Sequence, residues 1–405
     1  MSSIQAAQVD RVLDESRDIP SALLLLLATG AGLGAASLYY CQPLLMEISD
    51  GLHVRPSLMG LVPTLTQLGY ASGVLLLAPL GDRYDRRIII LVKTALLSLA
   101  LLSIGLASGF GMLLGASLLV GASATMAQDV VPAAAVLAPE SQRGKIVGKV
   151  MTGLLLGILL SRVASGFIGQ HWGWRTVYLL ASLAVMCIGL LFGRGLPRFA
   201  KTTELSYRAL IASMLGLWRR HAPLRHAAMS QGLLAVSFGA FWSTLAMMLH
   251  ARYGLGSAVA GALGLAGAAG ALAAPLGGKL ADRRGAKWVT QQGSALTALS
   301  FGAMAIDGWL PDSLRLGFLV LMTILFDFGM QATLVGHQTV VYGLDAGARS
   351  RLNAVLLTCM FIGMASGAAF GSLALARWGW LGVVGLCSLV SFGAWLVRCY
   401  ASRVD

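Results

Sequence analysis

Long apolar runs alternate with short polar connections along almost the whole chain. Each run holds roughly 20 residues, enough for a helix to cross about 30 Å of hydrocarbon. A backbone in lipid must satisfy its own hydrogen bonds, and these runs are continuously apolar rather than alternating, so they predict helices and not barrel strands. Twelve spans are expected, at residues 21–45, 57–80, 88–108, 111–137, 147–169, 175–195, 226–249, 257–277, 288–306, 314–340, 353–375 and 379–398.

A charged turn occurs twice, each time between two apolar runs. The first copy is GDRYDRR, from Gly81 to Arg87, and the second is GKLADRRGAK, from Gly278 to Lys287. The tryptophan pattern at 171–175, ahead of the sixth span, also returns at 377–380, ahead of the twelfth. The repeats predict an all-α integral membrane protein with twelve transmembrane helices in two pseudo-symmetric six-helix bundles.

The polar segments divide the chain into four parts. We expect a cytoplasmic tail at 1–20, one bundle at 21–195, a basic linker at 196–225, and a second bundle with a short tail at 226–405. The linker carries apolar residues at roughly helical spacing, which favours a helix lying in the membrane interface over a disordered connection. These residues are Leu205, Leu210, Ile211, Met214, Leu215 and Trp218.

Charge placement sets the expected orientation. The chain has 30 Lys and Arg residues and a formal net charge of +13, and most of the basic residues fall in connections on the side of the N-terminus. Basic residues concentrate in cytoplasmic loops, so both termini and the linker are expected in the cytoplasm. This placement also accounts for the basicity without nucleic acid, because the charges face an anionic leaflet. With 57% hydrophobic and 12% charged residues, a soluble domain is excluded.

The duplicated turn after the second and eighth spans, together with the central loop, resembles the major facilitator superfamily. The first copy has Ala78 and Asp85 where the family pattern has glycines, and the second has Ala286 where a basic residue is usual. The resemblance implies a cytoplasmic latch that breaks when that side opens; the alternative is a purely topogenic set of charges. The latch residues are Gly81, Asp82, Arg83, Arg86, Arg87, Gly278, Asp282 and Arg283.

More narrowly, the chain resembles bacterial twelve-helix drug:proton antiporters. The glycine-rich stretch at 157–166 lies where these proteins carry a fifth-helix motif, although its proline is missing and Arg162 stands nearby. The fourth-helix arginine of that family is replaced by Ser117. Asp129 and Arg162 are therefore the expected substitutes in proton coupling.

Ionisable side chains deep inside predicted spans are candidates for function, and the ones singled out are Asp129, Arg162, Asp327 and His337. Such groups are costly in hydrocarbon and usually face a partner or a cavity. Similar depths lead us to expect Asp129 and Arg162 to pair, either as a switch or as a static structural pair. Asp327, with no basic neighbour in sequence, is expected to exchange protons, to hold a cationic substrate or to bond polar neighbours. His337 is expected to be a structural donor or a titrating group.

Polar and aromatic residues at mid-span are the expected lining of a substrate cavity. An apolar, aromatic cavity with few polar groups suits amphiphilic small molecules. The candidates are Tyr39, Gln42, Gln67, Phe238, Phe241, Trp242 and Gln331.

These features predict a secondary transporter and not an enzyme. No HExxH motif, Cys–His constellation or phosphate-binding P-loop occurs in the sequence. The expected function is proton-coupled efflux of an amphiphilic compound, as in multidrug antiporters, by a monomer in the bacterial cytoplasmic membrane. The proton gradient would supply the energy without a cofactor. Uptake by proton symport or uniport is the alternative, and the sequence leaves open the substrate and which carboxyl carries the proton.

Overall fold

The computed structural model describes residues 19–404 apart from residues 202 and 204. Within its helices, the side chains of Asp82, 268–275, Ala346 and 402–404 lie outside the description. The predicted tail, 1–20, is therefore almost wholly outside the described residues. The helices of the first half are α1 (Ser21–Ala36), α2 (Leu45–Leu52), α3 (Leu61–Ser72), α4 (Leu80–Arg83), α5 (Arg86–Gly105), α6 (Phe110–Ala124), α7 (Met126–Leu137), α8 (Arg143–Trp172) and α9 (Trp174–Gly195).

The linker and the second half continue in the same helical pattern. Their helices are α10 (Tyr207–Arg220), α11 (Ala222–Tyr253), α12 (Ser257–Ala262), α13 (Ala268–Arg284), α14 (Ala286–Met304), α15 (Asp312–Tyr342) and α16 (Arg349–Val404). Gly379 (φ 64°, ψ −160°) interrupts α16 and separates the eleventh span from the twelfth. Helices thus occupy all twelve predicted intervals. In the described chain, eight helical stretches are long and apolar enough to cross a membrane, the one at Arg349–Ala401 spanning this interruption.

Two of the spans that the sequence predicts as continuous helix are interrupted by 3-10 turns. The first span stops at Ala36, turns through residues 37–41 and forms a 3-10 turn at Gln42–Leu44. Pro43 suits this turn, because it has no N–H to give to a helix. The eighth span has a 3-10 turn, Leu263–Gly267, between α12 and α13. Irregular backbone at this depth is tolerated where protein or a cavity surrounds it.

The charged turns differ in backbone conformation. In the second copy Gly285 has φ 86°, a left-handed value that favours glycine. In the first copy Asp85 stands at that place with φ −56° and accepts a hydrogen bond from Arg87 N at 3.0 Å, which caps α5. The departure from the family pattern at this position therefore replaces a left-handed turn by a helix cap.

The linker helix predicted from apolar spacing is present as α10. Ser206 accepts a hydrogen bond from Ala209 N at 3.2 Å and begins the helix. Leu210, Met214 and Leu217 are buried along one face, as a helix repeat requires. The disordered alternative does not hold for residues 207–220.

Close backbone contacts join the two halves at the end of the bundle opposite the linker. Thr64 Oγ1 donates to Ala365 O at 3.1 Å, and Ser257 Oγ donates to Gly166 O at 3.0 Å. A Cβ at Gly166 would overlap Ser257 O, so glycine is needed for this approach. At the linker end, α10 connects the halves, with Tyr207 donating to Leu76 O. The interface between the halves is therefore sealed at the far end.

Candidate functional site

Arg162 lies at the centre of this interface. It sits on α8, is 4% exposed, and packs against the broken eighth span. A Cβ at Gly264 would come within 2.9 Å of Arg162 Cβ, and a Cβ at Gly261 would overlap Arg162 O. The two glycines therefore allow the eighth span of the second half to press directly on this arginine.

Aromatic rings and one amide surround the guanidinium. Arg162 Nε donates to Gln42 Oε1 at 2.6 Å. The guanidinium carbon lies 4.6 Å from the ring centre of Tyr39, 4.4 Å from that of Trp242 and 5.9 Å from that of Phe238. Cations are attracted to aromatic faces at these distances, most strongly when water is excluded. Four predicted cavity residues thus meet around Arg162: Tyr39, Gln42, Phe238 and Trp242.

Two buried donors here are unused. Nη2 of Arg162 and Nε1 of Trp242 have no hydrogen-bond partner among the described residues. Both side chains line a small cavity of about 10 Å³, with Gln42, Pro43, Leu245, Ala246 and Ala260. This volume holds about one water molecule. Unsatisfied buried donors are rare in folded proteins, so these two N–H groups are available to a molecule bound in the cavity.

Asp327 supplies the opposite charge from the second half. It is 2% exposed on α15, and its charge acts on Arg162 and Tyr39. A Cβ at Gly267 would lie 3.8 Å from Asp327 Oδ2 and 3.9 Å from Trp242 Cζ2, so the carboxylate and the indole ring are both neighbours of this glycine. The absence of a basic neighbour in sequence was therefore misleading, because the basic side chain is on the other half.

The predicted pairing of Asp129 with Arg162 is wrong. Asp129 Oδ2 instead accepts a hydrogen bond from Lys93 Nζ at 2.6 Å in a buried salt bridge within the first half. Lys93 is 4% exposed and lies within the third predicted span, 88–108. Its position inside a predicted span was the signal that identifies it, because an intramembrane lysine needs a partner.

His337 belongs to a separate polar cluster within the second half. It is completely buried, and its Nδ1 lies 2.9 Å from Gln231 Oε1. The charge of Arg398 acts on it, and Arg398 Nε donates to Thr290 Oγ1 at 3.0 Å. This arrangement fits the structural role expected for His337, whereas a role in proton coupling stays a prediction. In the described chain, no group of three His, Cys, Asp or Glu side chains could hold a metal ion.

The remaining cavity candidates do not join Arg162. Phe241 packs into an aromatic cluster of the second half, with ring centres 4.8 Å from Phe326 and 5.9 Å from Phe301. Gln67 is buried in the first half, and its Oε1 has no partner among the described residues. Gln331 is half-buried on α15, one turn beyond Asp327. Their contact with substrate stays a prediction.

The first copy of the predicted latch is packed into the first half. A Cβ at Gly81 would lie 2.8 Å from Asp129 Oδ1 and 3.4 Å from Arg86 Nε, so this turn leaves room for both side chains. Arg87 Nη2 donates to Gly193 O at 2.5 Å, and Arg83 reaches Leu205 O at 3.4 Å. The side chain of Asp82, the first aspartate of the latch, lies outside the described residues.

The second copy has a different environment. Asp282 and Arg283 are exposed and Gly278 is half-buried. In the part of the chain that the structure describes, Asp282 and Arg283 form no ion pair. The duplicated motif is therefore engaged in the first half and solvent-facing in the second.

Comparison of the sequence with known proteins shows to which family this chain belongs. The Major Facilitator Superfamily profile matches residues 24–336. The uncharacterized transporter YgaY of Escherichia coli O157:H7 is 37% identical over 369 residues, covering 91% of this chain and 92% of that protein. The multidrug resistance protein MdtG of Klebsiella pneumoniae is 31% identical over 160 residues, covering 38% of this chain and 39% of that protein.

A solved structure shares the architecture. A bacterial homologue of the human lysosomal transporter Spinster superposes with a TM-score of 0.73 at 16% identity, covering 95% of this chain and 97% of that chain. The family and this likeness confirm the predicted fold of twelve helices in two bundles and the prediction that the protein is no enzyme. The chain is a multi-pass membrane transporter that belongs to the major facilitator superfamily.

Proposed function

We propose that this protein exports a small amphiphilic molecule across the bacterial cytoplasmic membrane in exchange for protons. The observation that carries the proposal is the placement of two buried opposite charges, Arg162 from the first half and Asp327 from the second, near the ring of Trp242. Two buried opposite charges stabilise each other in low dielectric, and binding to either one releases the other. Proton uptake by Asp327 and substrate binding at Asp327 then exclude each other, which is the logic of antiport.

The sealed interface fits one state of an alternating-access cycle. The concentration of basic residues in these connections supports placing the linker end, and with it both termini, in the cytoplasm. The contacts Thr64–Ala365 and Ser257–Gly166 then close the outer side. For export these contacts must break while the linker end closes, by rocking one bundle against the other. The similarity to a multidrug resistance protein over part of the chain supports export as the direction.

The proposed exchange of substrate and proton at Asp327 needs no cofactor and no second subunit. Both charges and the rings around Arg162 come from a single chain. The proton gradient supplies the energy, and a monomer is the proposed working unit.

Everted membrane vesicles test the proposal. An acid-inside gradient is established, and cationic, zwitterionic, anionic and neutral amphiphiles are added in turn. An antiporter releases protons when its substrate enters, so the gradient dissipates with one compound class. We expect Asp327→Asn to abolish this response while Asp312→Asn, at an exposed carboxylate, retains it. Radiolabelled flux that depends on the protein but ignores the gradient would contradict antiport and indicate a uniporter; substrate-driven acidification would indicate symport.

A further inference from the structure

The unused donors beside the cavity indicate which chemical group of a ligand would bond there. Arg162 Nη2 and Trp242 Nε1 are both N–H donors, both buried, and both lie on side chains that line the same cavity. The guanidinium group and the indole ring are also in direct contact, with the guanidinium carbon of Arg162 4.4 Å from the ring centre of Trp242. A carboxylate is the natural occupant, because its oxygens accept from two neighbouring donors and its charge matches the guanidinium.

A carboxylate alone would leave the opposite charge unbalanced. Asp327 is 2% exposed, and its charge already acts on Arg162. If an anion took Arg162, the buried carboxylate would lose a compensating charge, which is costly. A ligand that also brings a cation restores the balance. The carboxylate of Asp327 and the ring of Trp242 both lie next to Gly267, so partners for the two charges of a short zwitterion are close together.

The walls set the remaining chemistry. Tyr39, Phe238 and Leu245 offer apolar surface next to the charges. The cavity now holds only about 10 Å³, so a ligand must open it and must itself be small. A small ligand that carries its charges close together and has one apolar side group matches both the apolar walls and the limited volume.

We propose that the site between Arg162 and Asp327 binds a small zwitterion of the apolar α-amino acid type. Its carboxylate accepts from Arg162 Nη2 and Trp242 Nε1, and its ammonium group faces Asp327. The proposal rests on the transport function above and names the substrate class of the same site. It also deepens the antiport scheme, because the ammonium group and a proton compete for Asp327.

Calorimetric titration of the purified full-length protein in lipid nanodiscs tests this assignment. The probes are valine, leucine, methionine and phenylalanine, each beside its N-acetyl derivative, which lacks the cation, and its amide, which lacks the anion. We expect at least one free amino acid to bind, with both of its derivatives at least tenfold weaker. Trp242→Phe keeps the ring and removes the N–H, so it should weaken the free amino acid about tenfold and leave the amide unchanged. Trp309→Phe, at a residue 91% exposed, is the matched control and should change nothing.

Three other outcomes overturn the proposed substrate class, and a fourth contradicts antiport alone. If none of the four amino acids binds, the substrate class is wrong; gradient dissipation by some other compound in everted vesicles would then show that the transport proposal stands without it. If the amide binds as well as the amino acid, the site recognises only the ammonium group and is selective for cations. If the N-acetyl derivative binds as well as the amino acid, the site recognises only the carboxylate and is selective for anions. Binding of the zwitterion without any proton release would leave the substrate class intact and contradict antiport.

Discussion

The guanidinium of Arg162 stacks on the ring of Trp242 at 4.4 Å, and the two residues belong to different halves of the molecule. Arg162 also takes its hydrogen-bond acceptor, Gln42, from the broken first span. The halves cannot separate at this depth without removing the rings from a buried cation, which would then need another partner. Under the proposed function, substrate binding and opening of the interface would therefore be coupled at the same residues.

Removing the charges of Arg162 and Asp327, singly and together, should reveal how strongly the two side chains interact. Arg162→Gln and Asp327→Asn should each destabilise the protein, because each leaves one buried charge with less compensation. The double variant should lose less than the sum of the two, with a coupling free energy of about 1–3 kcal/mol. Equilibrium unfolding in mixed micelles measures these values, with Arg143→Gln as the exposed control on α8. Strict additivity would contradict an interaction between Arg162 and Asp327.

The salt bridge of the first half should be a structural element. Lys93→Met leaves the buried Asp129 carboxylate without its lysine and should cost about 3 kcal/mol of unfolding free energy, the low end for a broken buried pair. The low end is expected because Arg86 also lies beside Gly81 and Asp129. Adding Asp129→Asn to Lys93→Met should recover most of the loss in the same unfolding assay. Lys145→Met, at an exposed lysine, is the control; equal losses for both lysines would contradict a structural pair.

The seal opposite the linker should depend on glycine. Gly166→Val places a side chain against Ser257 O and should shift the protein away from the sealed state. Gly148→Val is the matched control on the same helix, because a Cβ there meets nothing within 4 Å. A cysteine introduced at Ala365, which is 1% exposed, reports the opening by its rate of maleimide labelling in a cysteine-free background. We expect at least fivefold faster labelling in Gly166→Val; unchanged labelling would show that this contact does not set the closed state.

The first charged turn should be more important for stability than the second. Asp85 Oδ1 accepts hydrogen bonds from Arg87 N and Phe199 N, both at 3.0 Å. Asp85→Ala removes the helix cap and the tie to the linker, and should cost about 1–2 kcal/mol. Asp282→Ala, at an exposed carboxylate, should stay within about 0.5 kcal/mol. Thermal unfolding of the two variants side by side checks the difference, and equal shifts in melting temperature would refute it.

The residues of the site were partly predictable. Mid-span polar and aromatic positions pointed to Tyr39, Gln42, Phe238 and Trp242, all of which the structure brings to Arg162. Phe241 belonged to the same sequence cluster, yet it turns into the aromatic core of the second half. Neighbouring positions on a helix point about 100° apart, so burial of one ring at the interface directs the next one elsewhere.

The pairing of charges was not predictable from depth. Equal depth in the membrane suggested Asp129 for Arg162, whereas Lys93 holds Asp129 and Asp327 acts on Arg162. Depth fixes one coordinate of a side chain and leaves the rotation of its helix and the identity of its neighbouring helix open. Those depend on how helices pack against one another.

By itself, the sequence determined that this protein is a membrane protein of duplicated helices. A span forms wherever about 20 apolar residues follow one another, because lipid obliges the backbone to bond within its own segment. The charged turns and the tryptophan patterns each occur once in either half of the chain, and this repetition can be read directly from the sequence. Only the tertiary structure decided that Arg162 meets a residue 120 positions away and a carboxylate from the other half. Such contacts arise from glycine-mediated approach of distant helices, and no local rule of the sequence encodes them.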